Sequence, residues 1–148
     1  MNIAFFLIPK QNVAFLYDDF TLRQGLEKMR FHGYTAIPVV TRKNEYIGTV
    51  SEGDFLWHLI DDRKDKDLHK INIQSIENML VRDIISKDKN PPVRITATVE
   101  ELIHSALTQN FIPVIDDRDL FIGIVTRSDL IKHYLKTTEQ LKAAVLQK

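Results

Sequence analysis

The 148-residue chain contains no cysteine. Disulfides and thiolate metal sites are therefore outside its chemistry, and a reducing, cytoplasmic setting is expected. It also lacks a charge excess, since 20 Lys and Arg balance 20 Asp and Glu. A sequence-independent grip on nucleic acid draws on a basic excess, so no nucleic-acid partner is expected. No apolar run approaches the roughly 18 residues of a membrane span, and no membrane partner is expected. The opening Ile3-Ala4-Phe5-Phe6-Leu7-Ile8-Pro9 is apolar but short. Without a basic leader or a small-residue cleavage site it reads as a buried first helix or strand, not a signal peptide. Phosphate loops of the Gly-x-x-x-x-Gly-Lys type and Gly-x-Gly-x-x-Gly turns are missing too. His32, His58, His69, His104 and His133 are scattered, with no pair and third ligand at a metal spacing. Asp116, Asp117 and Asp119 read as a solvated turn, so neither metal nor cofactor is expected. Ser128 has no base or oxyanion hole in its neighbourhood, and no carboxylates stand paired for acid and base work. An enzyme is not expected.

What the chain does have is itself, twice. Ile37-Pro38-Val39-Val40 recurs as Ile112-Pro113-Val114-Ile115, and Gly48-Thr49-Val50-Ser51-Glu52-Gly53-Asp54 recurs as Gly123-Ile124-Val125-Thr126-Arg127-Ser128-Asp129. Both blocks return at one offset (37 to 112, 48 to 123), and Thr21-Leu22 returns as Thr98-Val99 two residues further on. Each copy reads as one β-α-β-β-α unit, an α/β (α+β) fold. Leu22, Leu26 and Met29, and Leu102, Ile103, Ala106 and Leu107, fall at helical spacing. Thr21 and Thr98 stand where helix caps stand, and Gly33 where a left-handed turn ends a helix. β-branched runs follow, joined by polar turns of four or five residues. The first short strand of each copy is expected near residues 13–17 and 93–96. The division is residues 1–60 for the first repeat, 61–78 for a connector, 79–136 for the second repeat and 137–148 for a helical tail. Leu68, Ile71, Ile73 and Ile76 suit a short docking helix in the connector. Leu130, Ile131, Tyr134, Leu135, Leu141, Val145 and Leu146 suit a long or broken amphipathic helix that packs on a partner chain.

The second copy of the repeated motif is rich in anion-binding chemistry. A buried strand runs into a helix, whose start presents unpaired N–H groups and a partial positive charge. Thr126 offers a hydroxyl there and Arg127 a five-donor fork suited to phosphate. Asp129, one turn on, can accept from two neighbouring hydroxyls, as on a ribose. The same Ser/Thr-x-x-Asp pattern also serves as a plain capping box, and on residue types alone the two roles stand level.

Gly-x-Val-Ser/Thr-x-x-Asp after an Ile-Pro-Val strand, present twice, with Val81-Arg82-Asp83-Ile84 opening the second copy, resembles the CBS-domain family over roughly residues 3–134. The resemblance implies two repeats packed about a pseudo-twofold axis, two clefts between them, homodimers, and adenine ligands: AMP, ADP, ATP, S-adenosylmethionine or cyclic di-AMP. It also implies that each cleft joins the acid-bearing helix of one repeat to the base pocket of the other. One cleft would then use Thr126, Arg127 and Asp129 with Tyr34, Thr35, Ala36 and Pro38, and with Ile8, Pro9 and Val13 nearby. The other would use Ser51 and Asp54 with Asn110, Phe111 and Pro113, and Ser86 and Pro92 beside them. Arg127 aligns with Glu52, and a carboxylate 4 Å from phosphate repels it by about 1 kcal/mol even in water. The Asp129 cleft is therefore expected to take the nucleotide. AMP, ADP or ATP is expected ahead of cyclic di-AMP, because a 3′-linked dinucleotide offers Asp129 one ribose hydroxyl instead of two. A ligand-free structural dimerisation module is the competing expectation. With no effector domain in view, the partner would be another polypeptide.

Overall fold

The computed structural model describes residues 2–61, 73–86 and 89–146. The first repeat runs β2 (Leu16–Tyr17), α1 (Leu22–His32), β3 (Ala36–Val40), β4 (Tyr46–Ser51) and α2 (Glu52–Asp61), preceded by the short β1 (Ile8–Pro9). After α3 (Ile73–Asn78), the second repeat runs β5 (Val93–Arg94), α4 (Val99–Ala106), β6 (Phe111–Ile115), β7 (Phe121–Thr126) and α5 (Arg127–Leu146). The expected β-α-β-β-α order thus occurs twice. Of the expected docking helix, Leu68 and Ile71 lie outside the described residues, while Ile76 in α3 packs on the first repeat's core.

Local chemistry sets the element ends. Thr21 Oγ1 accepts from the Gln24 N–H at 3.2 Å, and Gln24 Oε1 accepts from the Thr21 N–H at 2.9 Å. Thr98 and Glu101 repeat the box on α4, with both bonds at 3.2 Å. Reciprocal caps satisfy two otherwise orphaned donors. Gly33 closes α1 at φ 70°, left-handed backbone in which a Cβ is costly. The two hairpins match residue for residue: Ile37 faces Val50 and Ile112 faces Val125. Asn44 and Asp119 take the same left-handed turn position, at φ 68° and 66°.

The sheets are β2-β3-β4 and β1-β7-β6-β5. β1 belongs to the second repeat's sheet, pairing Ile8 with Ile124 and Pro9 with Gly123. Just before it, a 3-10 turn at Ile3–Phe6 buries Ile3 and Phe6 in the second repeat's core. The mirror event follows in the first repeat: the 3-10 turn Val81–Asp83 leads Val81 and Ile84 into the first core, and Ser86 bridges to Thr49. Each repeat's leader thus crosses to the other repeat, locking the pair. Gly123 makes the crossing possible, because a Cβ there would run into the Ile8 carbonyl oxygen. A third cluster of Val13, Val40 and Phe121, with Ile8, Tyr17, Tyr46 and Ile124 packed on it, joins the two sheets. Equivalent residues Tyr46 and Phe121 stack there, with centroids 6.1 Å apart at 27°. Asn44 supports the junction: its carbonyl accepts from the Phe121 N–H at 2.9 Å and its Nδ2 donates to the Phe121 carbonyl at 3.0 Å. Phe121 is fully buried, and such burial stabilises by about 1.5–3 kcal/mol. As far as Leu146 the tail continues residues 127–136 in one unbroken helix, and among the described residues beyond Leu130 only His133 is not exposed.

Candidate functional site

Between the repeats, where β3 faces β7, lies a cavity of about 230 Å³. Tyr34, Ala36 and Pro38 line it from the first repeat, Thr126 from the second, and Ile8 and Val13 from the crossing leader. Six residues singled out from sequence therefore meet at one place. Asn12, Ala14 and Ile124 also line it and were not singled out. Ile124 was within reach of sequence reasoning, because it shares a strand face with Thr126 two residues on. Asn12 and Ala14 carried no such signal. Thr35 and Pro9 are not among the lining residues: the Thr35 carbonyl accepts from the Glu52 N–H at 3.0 Å, and Pro9 is taken up in β1.

Phe111, expected with Ser51 and Asp54, lines this first cavity instead. It sits directly opposite Thr126 in the β6–β7 ladder, and opposed residues share a face. Arg127 departs further from expectation. Its Nε donates to the Ala106 carbonyl at 2.7 Å, and its side chain lines an apolar groove between α4 and α5. The guanidinium therefore caps the C-terminal carbonyls of α4, where a cation is favoured, and does not line the cavity.

Asp129 borders a neighbouring groove of about 610 Å³ that shares Ile8 with the cavity. Lys132, His133 and Lys136 line the same groove. These side chains stand three, four and seven residues after Asp129, on its face of the helix, a spacing readable from sequence. The Thr126 Oγ1 accepts from the Asp129 N–H at 3.1 Å, half of a capping box. The return bond is missing: among the described residues the Asp129 carboxylate has no hydrogen-bond or ion-pair partner.

The twin motif is tied down. The Ser51 N–H donates to Asp54 Oδ2 at 2.8 Å, and the Asp54 N–H donates to Ser51 Oγ at 3.3 Å. The Lys89 ammonium stands 3.6 Å from Asp54 Oδ1 and donates to Ser51 Oγ at 3.3 Å. Both Asp54 oxygens are thus in use. Nearby, the Tyr46 hydroxyl donates to the Asn90 carbonyl at 2.7 Å and meets Thr49 Oγ1 at 2.8 Å. Burial pushes the Tyr46 phenol up to about 12, against a smaller opposing pull from Thr49. Asn110, expected in this cleft, is exposed and gives its carbonyl to the Arg127 N–H at 2.9 Å; Pro113 is buried in β6 and Pro92 is exposed. Among the described residues no group of three or more His, Cys, Asp or Glu could hold a metal ion.

Two repeats exchanging leaders around an interfacial cavity define a tandem-repeat module. The CBS domain family matches residues 7–61 and 81–136, and the chain belongs to that family. Among curated relatives, an uncharacterised protein of Methanopyrus kandleri is 27% identical over 122 residues, 78% of this chain and 56% of the relative. A homoserine O-acetyltransferase of Methanohalophilus mahii is 29% identical over 125 residues, 84% of this chain but 23% of the enzyme. The chain thus spans about half of the first relative's length and under a quarter of the second's. Similar solved structures include CbpB in complex with cyclic di-AMP (TM-score 0.85, 21% identity, 97% of this chain and 91% of that one). The CbpB of Listeria monocytogenes, also with cyclic di-AMP, gives a TM-score of 0.80 at 23% identity, covering 93% and 98%. CBSX2 in complex with AMP gives 0.73 at 23% identity, covering 93% and 98%. At these identities the likeness establishes the shared fold.

Proposed function

We propose that the chain is a regulatory module that binds one adenine nucleotide in the Asp129 cleft and transmits the event through a homodimer to a partner protein. The observation that carries this reading is the asymmetry between the twin acids. Asp54 spends both oxygens on its own cap and Lys89, while Asp129 has no partner for its carboxylate among the described residues and borders a groove that shares Ile8 with the cavity. The base would enter the cavity against Ala36, Pro38 and Phe111. The ribose would give both hydroxyls to Asp129, and phosphates would lie toward Lys132, His133 and Lys136. A charged acceptor strengthens each hydrogen bond roughly twofold over a neutral one. Binding shifts the arrangement of the repeats only by the ligand's difference in affinity between two states, so a partner reads the occupied one. Among the described residues no helix is long and apolar enough to cross a membrane. A cytoplasmic setting is part of the proposal, as is the absence of catalysis.

AMP, ADP and ATP come first on the ribose argument. Cyclic di-AMP is the second reading, supported by the large groove beside Asp129, whose Lys132 and Lys136 offset a second phosphate. Calorimetric titration with AMP, ADP, ATP and cyclic di-AMP tests the order. One linear nucleotide bound per chain is expected. Tight binding of cyclic di-AMP with no heat from the linear nucleotides reverses the order, and silence from all four leaves a structural dimerisation module.

A further inference from the structure

We propose that the second repeat docks a short basic amphipathic helix of a partner protein at the start of α4, in the place that α3 fills on the first repeat. The first repeat shows what such a place takes. There α3 lies against α1, and Ile76 and Met79 pack on the core. The Met79 carbonyl accepts from the Leu22 N–H at 3.0 Å, and Met79 Sδ stands 3.1 Å from His58 Nε2. With that cover, Leu22 is fully buried and Leu59 is 8% exposed. Their counterparts in the second repeat are Val99 and Tyr134. Val99 is half-buried and Tyr134 is 46% exposed, and among the described residues no counterpart of α3 stands over them. A groove of about 580 Å³ lies there instead, lined by Phe6, Ala97, Thr98, Val99, Glu100 and Tyr134.

Charge decides which helix fits. On the first repeat, Glu77 of α3 meets Arg23 of α1 at 3.2 Å. The counterpart of Arg23 is Glu100, with Glu101 beside it in the first turn of α4. An α3 borrowed from a second copy would set Glu77 against Glu100. Like charges so placed reject the exchange and keep α3 on its own repeat. The fitting helix therefore carries apolar side chains where α3 has Ile76 and Met79, and lysine or arginine where α3 has Glu77. Opposite charges at such a rim steer encounter and select the partner. Phe6 and His133 line both this groove and the Asp129 groove, so a docked helix and a bound nucleotide share a wall. The existence of a partner is taken from the functional reading; its place and its charge come from this groove.

The chain's own segment supplies the probe. Residues 73–82 are synthesised as a labelled peptide, once as they stand and once with Glu77→Lys, and titrated by fluorescence anisotropy against the nucleotide-free protein at low salt. Saturable binding is expected, about fivefold tighter for the lysine peptide, the size of an exposed ion pair. Glu100→Arg, at an exposed position, should reverse that order. A short free peptide loses affinity in becoming helical. The same two sequences are therefore also placed directly ahead of Met1, the register in which α3 precedes Met79. The lysine form should raise the urea midpoint above that of a scrambled extension. An order of peptide affinities that ignores Glu100→Arg overturns the charge match. Silence from both peptides, with both extensions melting like the scrambled one, overturns the groove. Nucleotide is titrated separately, so either failure leaves the adenine reading standing, and failure of nucleotide binding leaves the groove.

Discussion

Asp129→Ala and Asp54→Ala, compared side by side, separate ligand holding from capping. The two acids occupy equivalent positions in twin motifs, yet their surroundings differ. Asp129 accepts nothing among the described residues, so its removal leaves the backbone bond from its own N–H to Thr126 intact. The protein loses only a favourable charge at a helix start, about 0.3–1 kcal/mol. The ligand loses two hydrogen bonds to a charged acceptor, each worth roughly 1.5–3 kcal/mol net. With water refilling part of the site, affinity should fall by about 100-fold, near 2.7 kcal/mol. At Asp54 the balance inverts. Its carboxylate holds the Ser51 N–H and faces Lys89, and loss of such a cap costs about 1 kcal/mol of stability. Nucleotide affinity should hardly move. Calorimetry reads the first quantity and urea melts the second. Wild-type affinity in Asp129→Ala, or a larger affinity loss in Asp54→Ala, would refute the assignment of the ribose-holding acid.

Gly123→Ala should destabilise the fold by about 1–3 kcal/mol in urea melts, the usual cost of overpacking, because the new Cβ meets the Ile8 carbonyl. It should also weaken nucleotide binding, since Ile8 lines both the cavity and the Asp129 groove. Lys132→Gln with Lys136→Gln should lower ATP affinity more than AMP affinity, by about fivefold per charge at low salt, with the difference shrinking as salt rises. Alkaline stability should reflect Tyr46. Its folded-state pKa is raised to about 12, so the unfolded phenol releases its proton first, near 10. Stability is full below pH 10 and falls by up to about 1.4 kcal/mol per pH unit between pH 10 and 12. Tyr46→Phe should flatten that part of the curve in melts taken from pH 9 to 12.

Much of this molecule was legible in the chain because its signals are local and repeated. Caps at Thr21 and Thr98, the left-handed Gly33 and the two Ile-Pro-Val strands are consequences of a few neighbouring residues, and duplication lets each copy check the other. The family resemblance, not local pattern, pointed to Tyr34, Ala36, Pro38 and Thr126 as one group. What local pattern could not supply is direction across space. Thr126 and Arg127 are adjacent in sequence, but where a strand passes into a helix their side chains leave on different sides, so one lines the cavity and the other caps α4. Phe111 changed clefts for a related reason: ladder register, not sequence distance, decides which face it shares.

The sequence by itself determined two copies of one supersecondary unit, their element order and the chemistry available at each motif, since these depend on contacts within a turn or a hairpin. Tertiary structure alone decided that the leaders cross between repeats, and that Asp54 is held by Lys89 while Asp129 is not. Those outcomes depend on groups brought together from distant parts of the chain, and no spacing rule encodes them.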